Sequence, residues 1–363
     1  MTEGRLDERV RIVGSGLLGA SIGLGLTQRG VDVVIDDVSP SARRLAVDYG
    51  AGREAGADDE PGLIVVCVPP DVTAAVVAAE LEAHPAALVT DVASVKLAPL
   101  RELEARGADL SRYLGTHPMA GREVSGAAAA RADLFLGRPW VVAGHDGISY
   151  RRAAAIEDMI LDLGAVPIEM SPEEHDQSVA LVSHVPQVLS SLLAARLTEG
   201  TEASLALAGQ GVRDMTRIAS SDPGLWLQIL GANSLPVAGV LTALRDDLDG
   251  VIDALARLDT ESSAGARREI VDALVAGNAG VSRLPGKHGR DARYAQLVVL
   301  IDDSPGQLAR LLSEIGELGV NLEDMRLEHS PGAPIGIVEV SVLPDAVGEL
   351  ERDLTERGWR IAG

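Results

Sequence analysis

The stretch VRIVGSGLLGASIGLGL, residues 10–26, constrains the fold more than any other part of the chain. Gly14-x-Gly16-x-x-Gly19 follows an apolar, strand-like run and opens a helical one. The pattern alone is weak. Set between a strand and a helix near the start of the chain, it reads as the first turn of a doubly wound α/β (Rossmann) sheet. Gly14 permits the tight turn, Gly16 lets the backbone approach a pyrophosphate, and Gly19 allows close helix–strand packing. The phosphates would then lie at a helix N-terminus, where N–H groups lack intrahelical partners. The candidate cofactor contacts here are Gly14, Ser15, Gly16, Leu17, Leu18 and Gly19.

A dinucleotide site of this kind needs a carboxylate for the ribose hydroxyls roughly 20 residues further on. VVIDDVSP supplies Asp36 and Asp37, and spacing leaves the choice between them open. Either could instead be a turn acid before Ser39-Pro40. A carboxylate there disfavours a ribose 2′-phosphate, so NAD is expected. Arg43 and Arg44 close by leave NADP as the second choice.

The first half of the chain alternates short Val/Ile runs with Ala/Leu helical stretches, with strands expected at 10–14, 31–37, 62–69, 86–93 and 137–144. That alternation implies βαβ units and a parallel sheet. VPIEMSPEEHD reads as a last strand, a turn, and a helix start capped by Ser171 with Glu174 three residues on. From about 175 to 277 helical patterns take over, and their long apolar faces suggest a subunit interface. The tract 278–292 has no periodicity and reads as a linker. Beyond it the order βαββαβ predicts a small ferredoxin-like α+β unit. The expected division is a Rossmann domain at 1–170, an all-α substrate and dimerisation domain at 171–280, a linker at 281–292 and the last unit at 293–363.

Composition narrows the function classes. The 54 acidic residues outnumber 32 basic ones, leaving a net charge of −22. That argues against nucleic acid, whose affinity rests on phosphate neutralisation, and against an anionic membrane surface. No apolar run reads as long enough to span a bilayer. The single cysteine, Cys67, excludes an internal disulfide and fits a reducing cytoplasm. It lies in an apolar strand and reads as a small buried hydrophobe. No metal site is expected.

If the cofactor accepts hydride from an alcohol, something must take the hydroxyl proton. His117, in GTHPMAGREVSG, is placed for this at the expected end of a strand on the ligand-binding edge. Histidine suits the task near neutral pH. The ordinary alternative for a lone histidine is a packing or capping role. TDVASVK ends another strand and brings Ser94 and Lys96 to the same edge. The helical half adds Ser183 and His184 before Pro186. It also adds a cluster of Gly209, Gly211, Arg213, Asp214, Thr216, Arg217, Ser221 and Trp226. Arginines in such a place typically grip a carboxylate, although an interhelical salt bridge from Asp214 to Arg213 or Arg217 would explain them too.

Together, G14SGLLG, D36DVSP, T90DVASVK, G115THPMAGREVSG, S171PEEHD, S183HVP and R213DMTRIASSDPGLW resemble the prephenate and arogenate dehydrogenase family, over about residues 8–260. The combination is specific; no single motif is. D302DSPGQLARLLSEIGELGVNLEDMRLEHS resembles an ACT domain, a regulatory module that commonly binds amino acids. The resemblance implies NAD-dependent oxidative decarboxylation. Prephenate would give 4-hydroxyphenylpyruvate, and arogenate would give tyrosine directly. It implies that His117 accepts the proton of the 4-hydroxyl, Ser94 bonds that hydroxyl near the nicotinamide, and Arg217 holds a substrate carboxylate. It favours Asp37 over Asp36 as the ribose acid and adds Val68 and Pro69 to the cofactor contacts. Glu123 and His184 match polar residues at the mouth and wall of the substrate pocket, with Asp214 in the same set. Gln187 stands where many members have a second histidine, and Arg122 where others have a small hydroxyl residue. Both bear on the choice of substrate, and the extra Arg122 favours the more anionic prephenate. In the ACT-like unit, Asp303, Ser304, Pro305, Gly306 and Asn321 are candidates to hold a tyrosine effector. A homodimer through the helices is expected.

Two rivals are weaker. β-Hydroxyacid dehydrogenases share the architecture but rely on a lysine in the helical domain, and this chain has none between Lys96 and Lys287. A non-catalytic NAD-linked amino-acid sensor would have no use for the proton acceptor that His117 provides.

Overall fold

The structure is a computed structural model describing residues 4–56, 58–121, 126–259, 263–284, 294–329 and 335–362. It divides into two compact units, Met1–Leu244 and Arg245–Gly363.

The first unit begins with five parallel strands: β1 Val10–Val13, β2 Val33–Asp36, β3 Arg53–Glu54, β4 Leu63–Val66 and β5 Leu88–Asp91. Their order is β3-β2-β1-β4-β5. Val33–Ile35 of β2 and all of β4 are buried Val/Ile/Leu runs, as a sheet covered on both faces requires. The crossovers are α1 Leu17–Thr27, α2 Pro40–Asp48 and α3 Pro70–Ala83, and α4 Leu97–Arg106 follows β5. Ser39 caps α2 by accepting the Ala42 N–H, with Pro40 at the first helical position.

A second sheet, in the order β6-β7-β8, joins β6 Thr116–Pro118, β7 Pro139–Ala143 and β8 Val166–Met170. β6 runs antiparallel to β7, and β7 parallel to β8. A bridge from Val89 to Tyr113 ties its lead-in to β5. His117 therefore lies inside a three-residue strand, opposite Val141, and not at the end of a longer one. α5 Ala154–Asp162 connects β7 to β8.

α6 Pro172–Val179 starts with the expected capping box: Ser171 accepts the Glu174 N–H, and the Glu174 carboxylate accepts the Ser171 N–H. A π-helical turn, Ala180–His184, passes without a break into α7 Val185–Leu197. This run of 26 residues is long and apolar enough, by length and composition, to cross a membrane, contrary to the sequence reading. Its buried side nonetheless carries polar groups, His175, Asp176, His184 and Gln187, whereas Leu181, Val182 and Leu192 are exposed. α8 Glu202–Leu205, α9 Gln210–Thr216, α10 Pro223–Ala232 and α11 Ser234–Arg257 follow, and α11 runs across the boundary between the units. Ala180, Val185 and Val237 form a small core here.

In the second unit, α12 Ala266–Val281 extends past the expected start of the linker at 278. Then come β9 Ala295–Asp302, α13 Gln307–Glu317, β10 Asp324–His329, β11 Ile335–Val342, α14 Pro344–Glu356 and β12 Arg360–Ala362. The sheet is antiparallel, ordered β10-β11-β9-β12. Alternate residues of β9 and β11 (Leu297, Val299 and Ile301; Val338 and Val340) bury against Leu311 and Ile315 of α13 and Leu350 and Leu354 of α14. This period-two pattern marks a sheet covered by helices on one face.

Candidate active site

The glycine turn is shaped by contacts. Gly14 has φ +102°, and a Cβ there would lie 2.4 Å from the Cys67 carbonyl. A Cβ on Gly19 would fall 2.0 Å from the Gly14 carbonyl. A Cβ on Gly16 would meet nothing within 4 Å. Gly16 is exposed at the N-terminus of α1, where no side chain caps the helix. Two glycines are thus needed for packing, while the third leaves free N–H groups open to an anion. Leu17 and Leu18 open α1, with Leu18 packed on the core.

Asp37 and Asp36 have different partners. The Asp37 carboxylate accepts both the N–H and the hydroxyl of Ser15, at 2.7 and 2.8 Å, and the Ser39 N–H at 2.8 Å. Burial pushes its pKa up, but these hydrogen bonds outweigh that and hold it below the usual carboxylate value. Asp36 is instead paired with Arg11 and Arg43. Val68 and Pro69 follow β4 and reach the same sheet edge, with Val68 Cγ1 beside Gly14. Cys67 packs against the core, and burial raises its thiol pKa, as does nearby Asp91.

His117 stands at the carboxyl end of β5 because Thr116 is bonded there: its hydroxyl donates to the Asp91 carbonyl at 2.9 Å. Lys96, fully buried, pairs with the Asp91 carboxylate and donates to the Thr116 carbonyl at 2.7 Å. Tyr113 donates to the other Asp91 oxygen at 2.7 Å. Ser94 lies half-buried in the β5–α4 loop on this edge. The His117 ring is bonded through Nδ1 to His175 Nε2 at 2.9 Å, and His175 Nδ1 to Asp176 Oδ1 at 2.7 Å. Burial pushes the His117 pKa well below the ordinary histidine value, and electrostatic coupling to His175, Lys96 and His184 pushes the same way.

His184, on the π turn, is buried. Its Nδ1 accepts the Asn233 side-chain N–H at 3.1 Å, and its ring meets Trp226 edge-on. Single π turns are frequent at functional sites. Gln187 is buried, with its carbonyl accepting the Ser221 hydroxyl. Arg217 starts an exposed 3-10 turn after α9. Asp214 is exposed and accepts from Gln210 at 2.7 Å, which replaces the arginine pairing considered from sequence. Arg122 and Glu123 lie outside the described residues.

The sequence reading overlooked His175, Asp176 and Asn233. SPEEHD was read for its cap and as part of the family resemblance, and its His-Asp pair was given no role. The adjacent His-Asp pair that follows the cap was the available signal.

Burial depresses His184 to about 4, from an ordinary value of 6.5. Between those values the unfolded chain binds more protons than the native one, so stability rises with pH across that window. His117 acts in the same direction. Tm is therefore expected to fall as pH drops from 6.5 towards 4, and to fall less in His184→Gln. Thermal melts across this range would check it, and equal slopes would contradict it.

Residues 22–169 match the family described as "Prephenate dehydrogenase, nucleotide-binding domain", and residues 171–266 the one described as "Prephenate dehydrogenase, dimerization domain". "Probable prephenate dehydrogenase NovF" of Streptomyces niveus is 36% identical, over 96% of this chain and 98% of its own. Prephenate dehydrogenase of Bacillus subtilis is 24% identical, over 94% of each chain. A crystal structure of prephenate dehydrogenase from A. aeolicus, in complex with hydroxyphenyl propionate and NAD+, is 26% identical with a TM-score of 0.67. It covers 76% of this chain and 98% of its own.

Proposed function

The chain belongs to the prephenate dehydrogenase family, and from that premise we propose how its residues divide the reaction. It is an NAD-dependent dehydrogenase that converts prephenate to 4-hydroxyphenylpyruvate with loss of CO2, a step of tyrosine biosynthesis. The observation that carries the division is His117, set at the carboxyl end of β5 on the edge where the Gly16 turn opens.

The Gly14–Gly19 turn, with Ser15, would hold the pyrophosphate and Asp37 the ribose, with Val68 and Pro69 lining the cofactor. NAD, when bound, supplies the hydride acceptor. His117 takes the proton of the ring hydroxyl as its carbon is oxidised. Ser94 bonds that hydroxyl and orients it. Arg217 holds a substrate carboxylate, while His184, Gln187 and Asp214 line the substrate side. The ring carboxylate leaves as CO2, and its bonding pair completes the aromatic ring. Aromatisation makes the step effectively irreversible and therefore suited to feedback control.

The βαββαβ unit is an ACT domain in this reading. Asp303, Ser304, Pro305 and Gly306 lie between β9 and α13, and Asn321 between α13 and β10. Both loops would take tyrosine as an inhibitor. Exposed leucines on α7, α10 and α11 support a homodimer through the helices. We place the enzyme in the cytoplasm.

The test is NADH formation from prephenate and from arogenate, each with and without tyrosine. Turnover of prephenate, reduced by tyrosine, is expected. Turnover of arogenate alone would reassign the substrate, and unchanged rates at saturating tyrosine would remove the effector. Asp37→Ser should raise KM for NAD roughly 10- to 100-fold, since hydrogen bonds to a charged group contribute about 1.5–3 kcal/mol, and should narrow the preference over NADP. An unaltered KM would point to Asp36 instead.

A further inference from the structure

The roles above leave His175 and Asp176 unused, although they occupy the buried side of His117. His175 is fully buried, and Asp176 nearly so. Asp176 is held rigidly: Oδ1 accepts the Lys96 N–H at 2.9 Å, and Oδ2 the Leu97 N–H at 3.0 Å. The Asn233 side chain donates to the Asp176 carbonyl at 2.8 Å and also contacts His184. This one fixture therefore links the sheet edge to the helices that carry the proposed substrate wall.

The hydrogen-bond directions have a chemical consequence. Both Asp176 oxygens already accept amide N–H groups, so the 2.7 Å bond to His175 needs a proton on His175 Nδ1. A neutral His175 then offers only a lone pair at Nε2. The 2.9 Å bond from that atom to His117 Nδ1 needs the proton on His117 Nδ1. The remaining ring nitrogen, His117 Nε2, is left with its lone pair.

We propose that His175 and Asp176 are positioning residues that lock His117 in its Nδ1–H tautomer, leaving Nε2 free to take the substrate proton. The relay transfers no proton to Asp176 and needs no further reactant. It deepens the reading of His117 as the base and rests on it. Where a comparable carboxylate sets a catalytic histidine in serine proteases, the wrong tautomer lowers kcat by about 10⁴.

Histidine-selective 15N labelling of the full-length protein tests the idea without a substrate. His117→Asn identifies the His117 signals by their loss. The wild type should show His117 protonated at Nδ1 and bare at Nε2. His175→Phe keeps an aromatic ring but removes both nitrogens. It should shift the tautomer population and lower kcat roughly 10- to 1000-fold, with KM for NAD and prephenate within about twofold. A wild-type His117 protonated at Nε2 would overturn the proposal, as would a His175→Phe enzyme with unchanged tautomer and kcat. If that variant does not fold, the wild-type spectrum still decides. Full activity in His117→Asn would instead remove the base assignment, and the spectrum would report on the relay separately.

Discussion

His117→Asn is expected to lower kcat by roughly two to four orders of magnitude, the usual contribution of a positioned general base, while NAD binds within about twofold of wild type. Asparagine keeps a side-chain N–H for His175 but offers no basic nitrogen to the substrate. The cofactor turn is built from other residues, Gly14 to Gly19 and Asp37, so its affinity should not change. Steady-state kinetics and NADH-fluorescence titration separate the two quantities. Near-normal turnover would return His117 to a packing role. The pH profile adds a second check. A base acts only when neutral, and burial holds His117 well below 6.5. The acid limb of kcat/KM should therefore lie below the ordinary histidine value, leaving the enzyme fully competent at neutral pH.

The glycine turn was legible because its requirements are local. Gly14 and Gly19 are dictated by backbone that would collide with a methyl group, and such positions announce themselves in a short window. The same holds for the Ser171–Glu174 cap and for β9 and β11, whose alternation states which face is buried. β6 was only partly legible: three residues are too few for a period, and its pairing with β7 is made over more than twenty residues. α12 was cut short because the tract from 278 shows no periodicity, yet the helix continues to Val281.

The site divides along the same line. Asp37 could be separated from Asp36 only by resemblance, since spacing serves both. The structure separates them by partners: two arginines for Asp36, and Ser15 of the glycine turn for Asp37. His175 and Asp176 were invisible because their meaning lies in a contact with His117, 58 residues away. The expectation that no run is long enough to span a bilayer missed one apolar helix for a related reason. Hydropathy averages over a helix, whereas Pro172–Leu197 buries several polar side chains, among them His175, Asp176, His184 and Gln187, and leaves Leu181 and Leu192 exposed. Asp214 was paired on proximity in sequence, but Gln210, one helical turn earlier, is its partner.

Lys96→Met should destabilise the fold by about 3–5 kcal/mol, the range for leaving one partner of a buried ion pair uncompensated. In a unit of this size that corresponds to a fall in Tm on the order of 10 °C. Burial pushes the Lys96 pKa down, while Asp91 and, less strongly, Asp176 oppose it. Without the ammonium, the Asp91 carboxylate keeps the Tyr113 hydroxyl and the Ala93 N–H but loses its cation. The Thr116 carbonyl, next to His117, loses a donor as well. The comparison that isolates the charge is the double variant Asp91→Asn/Lys96→Met. It removes the buried anion together with its partner and should be more stable than Lys96→Met alone. A double variant that melts lower than the single one would mean that Lys96 acts through packing. The same substitution reaches the chemistry. The Lys96 charge is one of the influences that depress His117, so its removal should raise the His117 pKa. In the folded fraction of Lys96→Met the acid limb of kcat/KM should move to higher pH, and a profile that stays in place would show that the Lys96 charge does not tune the base.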